Sequence, residues 1–364
     1  MSKRIIIAGG GTGGHIFPAI AIAQALKVKM PDCEFLFVGA KGKMEMEKVP
    51  QVGFNIEGLD IAGFNRSSLI KNIALPFKLL KSFFHVRRII GQYKPDAVIG
   101  VGGYSTYPVL RWAQIKGIPT FVHEANAYAG KSNQLLAKKA VKVFTGTDGM
   151  ESFFPKDKIL VTGNPVRRAI VQNAVSREDA LQHFGLKPDT ITLLVIGGSL
   201  GALSVNKAIA AGLDELQKNG MQLIWQTGKP FAPTAKQLCE EKSNIWVNDF
   251  IAEMDKAYAA ADIVVSRAGA MSVAEISLVA KPVIFVPYPF AAEDHQTSNA
   301  MHLVNKKGAM MIKDQETGEK LIASVLSLAS NNEQRIEMQR SLKTVALADA
   351  DIRIADEIIK TIGR

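Results

Sequence analysis

A histidine stands at the end of a glycine run. Residues 9–15 read Gly-Gly-Gly-Thr-Gly-Gly-His, directly after the apolar run Ile5-Ile6-Ile7-Ala8. Backbone amides at the mouth of a helix favour phosphate and other anions. An imidazole beside such a loop suits proton transfer near neutral pH. Gly9, Gly11 and Gly14 satisfy the dinucleotide spacing G-x-G-x-x-G. That chemistry also requires an acid closing the second strand, about 20 residues on, for the ribose hydroxyls. Residues 37–43 instead read Phe-Val-Gly-Ala-Lys-Gly-Lys, which argues against a nicotinamide cofactor. Residues 125–132, Ala-Asn-Ala-Tyr-Ala-Gly-Lys-Ser, imitate a phosphate-binding P-loop with alanine for its first glycine. No later strand ends in the aspartate that would hold magnesium there. Further glycine loops at 100–103 and 197–201 repeat the strand–glycine–helix pattern, so an anionic ligand is expected even though single glycines also serve tight turns.

The elements that must position these loops alternate. Apolar runs at 4–8, 34–40, 95–103, 119–124, 142–146 and 159–163 read as strands, with helical spacing between them. The pattern restarts at Thr192: Ile5-Ile6-Ile7-Ala8-Gly9-Gly10 is matched by Leu193-Leu194-Val195-Ile196-Gly197-Gly198. Strands at 222–228, 245–250, 262–269 and 282–288 complete a second half. The expected fold is α/β, two doubly wound Rossmann-like domains of parallel strands, with ligands outside the C-terminal strand ends and a cleft between the domains as the site. Boundaries are drawn at 1–163, 164–340 and 341–364, the join falling near Asn164-Pro165. The last segment, helical from about Asn332, is expected to return to the first domain.

The chain has 364 residues, 47% hydrophobic and 21% charged, as in a globular protein with a sizeable core. Cys33 and Cys239 lie far apart without a Cys-x-x-Cys or Cys/His cluster, which points to a reducing compartment and no structural metal. The apolar run after Lys3-Arg4 is too short for a secretory signal, and no window reaches the ~20 apolar residues of a membrane span. Net charge is +10, and it is lopsided: residues 1–163 hold 22 Lys/Arg against 11 Asp/Glu, residues 164–364 hold 22 against 23. The first half is therefore drawn to an anionic surface. No basic–aromatic interleaving or nucleic-acid motif is present, so a nucleic-acid partner is not expected.

The ordered set GGGTGGHIFPA, IGVGGYSTYP, HEANAYAGKSN, TGNPVR, VIGGSLGA, RAGAMSVAEI and EDHQTSNA closely resembles the MurG family of bacterial cell-wall glycosyltransferases, over nearly the whole chain. The resemblance implies the GT-B fold and an inverting, metal-independent transfer of N-acetylglucosamine. The donor would be UDP-N-acetylglucosamine, and the acceptor undecaprenyl-pyrophosphoryl-N-acetylmuramoyl-pentapeptide, lipid I, giving lipid II for peptidoglycan, with no cofactor. It further implies that the Ser199 loop binds the donor diphosphate, that Glu275 binds the ribose and that Ala270, Met271, Ser272, Val273 and Ala274 line the donor pocket. By the same resemblance the Ile251 backbone reads the uracil, Gln296 contacts the sugar, and Arg167 lies near the diphosphate. Thr12, Gly13, Gly14 and Asn126 would touch the donor from the first domain; Gly102, Gly103 and Tyr104 would face the acceptor. Two residues have local alternatives: Ser199 as an N-cap, and Ser272-x-x-Glu275 as a capping box. One departure is that residues 293–300 carry a single glutamine where other members have two.

Sugar transfer needs a base for the attacking hydroxyl, and His15 and Glu124 are the candidates. A lipid acceptor also needs a membrane surface. Residues 71–88 carry Lys71, Lys78, Lys81, Arg87 and Arg88 without an acid, with Ile73, Phe77, Leu80 and Phe84 at helical spacing. Such a helix either lies in an anionic membrane interface, placing the protein at the cytoplasmic face of the inner membrane, or packs on the sheet with a solvated basic face. Rival readings are a related transferase acting on diacylglycerol and a UDP-N-acetylglucosamine epimerase.

Overall fold

The computed structural model of the protein describes residues 2–61, 75–172, 174–198 and 200–363. It divides into two compact units: residues 1–166 with 347–364, and residues 167–346.

In the first unit the strands are β1 (Arg4–Ala8), β2 (Glu34–Ala40), β3 (Asn55–Leu59), β4 (Ala97–Gly100), β5 (Thr120–Glu124), β6 (Lys142–Thr145) and β7 (Ile159–Val161). The helices between them are α1 (Gly13–Lys29), α2 (Glu45–Gln51), α3 (Leu75–Tyr93), α4 (Thr106–Ile115) and α5 (Lys131–Ala137). The strands form one parallel sheet in the order β3-β2-β1-β4-β5-β6-β7. Alternate side chains of β1 serve two cores. Ile5 and Ile7 pack with Phe37, Ile99, Phe121 and Phe144 under α1. Ile6 and Ala8 pack with Val38, Val98 and Val122 under α3 and α4. Burial on both faces is why these strands read as unbroken apolar runs.

The second unit repeats the plan with β8 (Thr192–Ile196), β9 (Gln222–Gln226), β10 (Ile245–Asn248), β11 (Ile263–Ser266), β12 (Val283–Phe285) and β13 (Met310–Met311). Its helices are α6 (Arg168–Gln172), α7 (Arg177–Phe184), α8 (Leu203–Ala211), α9 (Leu213–Lys218), α10 (Ala232–Cys239), α11 (Met254–Ala260), α12 (Ala270–Val279), α13 (His295–Val304), α14 (Thr317–Ser330) and α15 (Asn332–Val345). The parallel order β10-β9-β8-β11-β12-β13 has the same topology as the first six strands of unit one. In each sheet the order reverses beside the first strand, between β1 and β4 and between β8 and β11. The glycine loops leave the strands at those two switch points.

Two details differ from the sequence expectation. The boundary drawn at 340/341 falls inside α15, which stays in unit two because Met338 and Leu342 are buried in its cores. Helix α15 ends at Val345, and of the two C-terminal helices only α16 (Ala350–Ile362) belongs to unit one. Ile354, Ala355, Ile358 and Ile362 recur at helical spacing and bury against the α1 side of the first sheet. At about 1.5–3 kcal/mol per fully buried isoleucine, this helix is part of that core. The edge strand β3 does not read as an apolar run because Glu57 interrupts it, and β13 is only two residues long.

Candidate functional site

At the switch point of unit one, the loops after β1 and β4 interlock. The Gly10 amide donates to the Gly102 carbonyl at 3.2 Å. Gly103 has φ +90°, and a Cβ there would lie 2.2 Å from the Gly10 oxygen, so only glycine allows the approach. Thr106 ties the pair together, its hydroxyl donating to the carbonyls of Ala8 and Gly102 at 3.0 and 2.9 Å. Thr12 is the extended N-cap of α1, and Gly13 and Gly14 form its first turn. His15 projects over Gly102, where a Cβ would come within 2.7 Å of the ring. Its Nδ1 lies 3.1 Å from the Gly10 carbonyl and 3.4 Å from the Thr12 hydroxyl. A carbonyl only accepts, so Nδ1 carries the proton in the neutral ring and Nε2 the lone pair. Tyr104 is half exposed beside this loop pair.

His123, on β5, is wholly buried nearby. Burial pushes its pKa down to about 4, and His15 pushes in the same direction. Glu124, the other candidate base, is buried and turned into its own loop. It accepts from the Asn126 amide (3.1 Å), the Asn126 side chain (3.2 Å), the Gly130 amide (3.1 Å) and Asn133 Nδ2 (2.9 Å). The P-loop imitation at 125–132 is thereby explained: its amides hold an internal carboxylate.

In unit two, the loop after β8 packs against residues 227–228; a Cβ on Gly201 would lie 2.2 Å from the Thr227 oxygen. Ser199 lies outside the described residues. The N-cap of α8 is Ala202, in extended conformation. The capping box, the local alternative at 272–275, does not form. Gly269 is the N-cap of α12, so Ser272 is the third helical residue. Glu275 instead points inward, one turn on. Its Oε1 lies 3.3 Å from Arg167 Nε, and Tyr258 donates to its Oε2 at 3.2 Å. Burial pushes the Glu275 carboxyl up, against the lowering pull of Arg167 and the Tyr258 hydroxyl. Arg167, expected beside a diphosphate, faces this carboxylate. Ala270, Met271, Ser272 and Ala274 are half buried on the helix start, whereas the Val273 side chain packs into the core.

Ile251 is buried, and its amide donates to Gln226 Oε1 at 3.1 Å while Gln226 Nε2 donates to the Gly198 carbonyl at 3.0 Å. One carboxamide therefore links the expected base-reading backbone to the glycine loop. Phe250, next to it, is half exposed. Gln296 accepts from the Tyr288 amide at 2.9 Å, and neighbouring His295 Nδ1 donates to the Ala292 carbonyl at 2.6 Å. Sequence reasoning missed Gln226, Tyr258 and Phe250. Only the half-exposed aromatic ring carries a signal readable in advance, the placement of a phenylalanine at a strand end.

On the outer face of unit one, α3 packs through Val86, Ile89 and Ile90. Phe77, Leu80 and Phe84 stay 76%, 57% and 63% exposed. Phe83 is spent packing edge-on against Tyr107. Lys78 and Lys81 approach Asp60 at 3.5 and 3.9 Å, so the basic face has an acidic neighbour from outside the helix. Ile73 and Lys71 lie outside the described residues. Among the described residues no helix is long and apolar enough to cross a membrane, and no cluster of His, Cys, Asp or Glu is poised for a metal.

Two parallel sheets of matching strand order, each with a glycine loop at its switch point, make this a GT-B fold, the architecture of nucleotide-sugar transferases. Residues 5–145 match the glycosyltransferase family 28 N-terminal domain and residues 192–354 its C-terminal domain, and the chain belongs to that family. A Phocaeicola vulgatus relative, named UDP-N-acetylglucosamine–N-acetylmuramyl-(pentapeptide) pyrophosphoryl-undecaprenol N-acetylglucosamine transferase, is 48% identical over 98% of this chain and 96% of its own. The crystal structure of Acinetobacter baumannii MurG superposes with TM-score 0.80 at 30% identity, covering 98% of this chain and 99% of that one. At the level of fold alone, UDP-GlcNAc 2-epimerase from Neisseria meningitidis also matches, with TM-score 0.65 and 15% identity over 98% and 100% of the two chains.

Proposed function

We propose that the chain transfers N-acetylglucosamine from UDP-N-acetylglucosamine to lipid I, forming lipid II for the cell wall, as a peripheral protein on the cytoplasmic face of the membrane. The observation that carries the reading is the 48% identity to a transferase of that name across nearly both whole chains. In the reaction, an acceptor hydroxyl attacks the anomeric carbon with inversion, the bond to UDP breaks, and the hydroxyl proton leaves to a base. His15 fills that role better than Glu124. Its Nε2 lone pair is fixed by the Gly10 contact, while Glu124 is engaged by four donors that a proton would have to displace. Donor binding belongs to unit two. Glu275, held by Tyr258, meets the ribose hydroxyls; the amides opening α12 and the 197–201 loop, with Arg167, offset the diphosphate charge without a metal. For the Ile251 amide to read uracil, Gln226 rotates off it, and Phe250 offers a face for the base to stack on.

The exposed stripe Phe77, Leu80 and Phe84, flanked by Lys78 and Lys81, suits shallow insertion into an anionic interface. Labelled UDP-N-acetylglucosamine incubated with and without lipid I tests the reaction. Label entering the lipid only when lipid I is present supports the transferase. Free N-acetylmannosamine in either tube means an epimerase.

A further inference from the structure

The fingerprint glycines of the opening loop have an occupant that the transfer reaction does not use. Glu45, the first residue of α2, is wholly buried. Its Oε2 accepts from the Gly11 amide and its Oε1 from the Ala40 amide, both at 2.9 Å. The carboxylate thus bridges the chain just past the end of β1 and the last residue of β2. Two glycines make room for it: a Cβ on Gly10 would lie 2.2 Å from Oε1, and one on Gly39 would lie 2.5 Å from Cγ.

The Gly11 N–H and the Gly10 C=O belong to one trans peptide plane and point in opposite directions. Glu45 holds the N–H end. His15 Nδ1 meets the C=O end at 3.1 Å. We propose that Glu45 is the built-in anion of the opening glycine loop and positions His15 through this single peptide. The carboxylate fixes the plane, polarises the carbonyl, and so keeps the imidazole proton on Nδ1. The Gly11 amide is thereby already taken. The catalytic consequence rests on the reading of His15 as base; the positioning itself does not.

The test is ¹⁵N NMR of the histidine rings in the full chain, with His15 assigned by His15→Gln, run alongside kinetics of Glu45→Gln. A carboxamide accepts from one amide only and presents its NH₂ to the other, so the peptide plane loses its clamp. The expected wild-type spectrum at alkaline pH is the Nδ1–H tautomer. Glu45→Gln should shift those signals toward a tautomer mixture, lower kcat about a hundred-fold and leave KM for UDP-N-acetylglucosamine within about two-fold. An Nε2–H tautomer in the wild type overturns the proposal without any variant, and so decides the matter even if Glu45→Gln does not fold. Unchanged His15 signals in folded Glu45→Gln also overturn it. Signals that move while kcat stays constant uphold the positioning and remove His15 as base.

Discussion

The glycine loops of the two units look alike in sequence and differ in what fills them. In unit one, the loop after β1 holds Glu45 and the loop after β5 holds Glu124, each a carboxylate supplied by the unit itself. In unit two, among the described residues, the loop after β8 is met by neutral groups: Gly201 donates to the Gly198 carbonyl, which also accepts from Gln226. A glycine loop with its own carboxylate is a scaffold for the residues that flank it. A loop met by neutral amides keeps its helix-end potential for a ligand's charge. Under the proposed function, this contrast assigns turnover and membrane contact to unit one and donor affinity to unit two.

The sharpest way to break the contrast is His15→Ala. We expect kcat to fall about 10²- to 10⁴-fold with the dissociation constant for UDP-N-acetylglucosamine changed less than about two-fold. Steady-state kinetics and calorimetry read the two quantities, and a lost donor affinity would move His15 to the other side of the comparison. Next in size is a pH effect confined to unit one. The pKa of His123 is lowered from 6.5 to about 4 in the fold, so the unfolded chain binds its proton first as pH falls. Stability is therefore full above pH 6.5 and declines between 6.5 and about 4, by about 3 kcal/mol. Urea unfolding against pH should show this slope, reduced in His123→Gln.

A smaller effect is expected on the outer face. Phe77→Ser with Phe84→Ser should weaken binding to vesicles containing anionic lipid about ten- to a hundred-fold, because two exposed rings no longer enter the interface. Vesicle sedimentation measures it, and unchanged binding would leave the stripe without a membrane role. The smallest belongs to unit two. Glu275→Gln keeps the shape but weakens the acceptor, so UDP affinity should fall about ten-fold with kcat near wild type. Equal losses in kcat and affinity would show that the units do not divide the work.

Much of this was legible in the residues. Doubly covered strands announce themselves as apolar runs, and His15 stands out because it adjoins the glycines. The S-x-x-E pattern at 272–275 was ambiguous, since the same letters serve a cap or an inward carboxylate; only the helix start at Ala270 separates them. Glu45 was invisible because its partners are backbone amides, which leave no side-chain signature. Tyr258 and Gln226 lie 17 and 25 residues from the groups they hold, and no local pattern joins them. The 340/341 boundary differs from the structure for the same reason: α15 and α16 are both amphipathic, and which sheet each serves is a tertiary fact.

The placement of α16 has a consequence for the order of assembly. Unit two is contiguous, residues 167–346, and has all its material once residue 346 is made. Unit one begins first but has a bare apolar stripe along α1 until Ile354 and Ile358 arrive. The usual N-to-C order of domain completion during synthesis is therefore inverted: the first unit started is the last one finished.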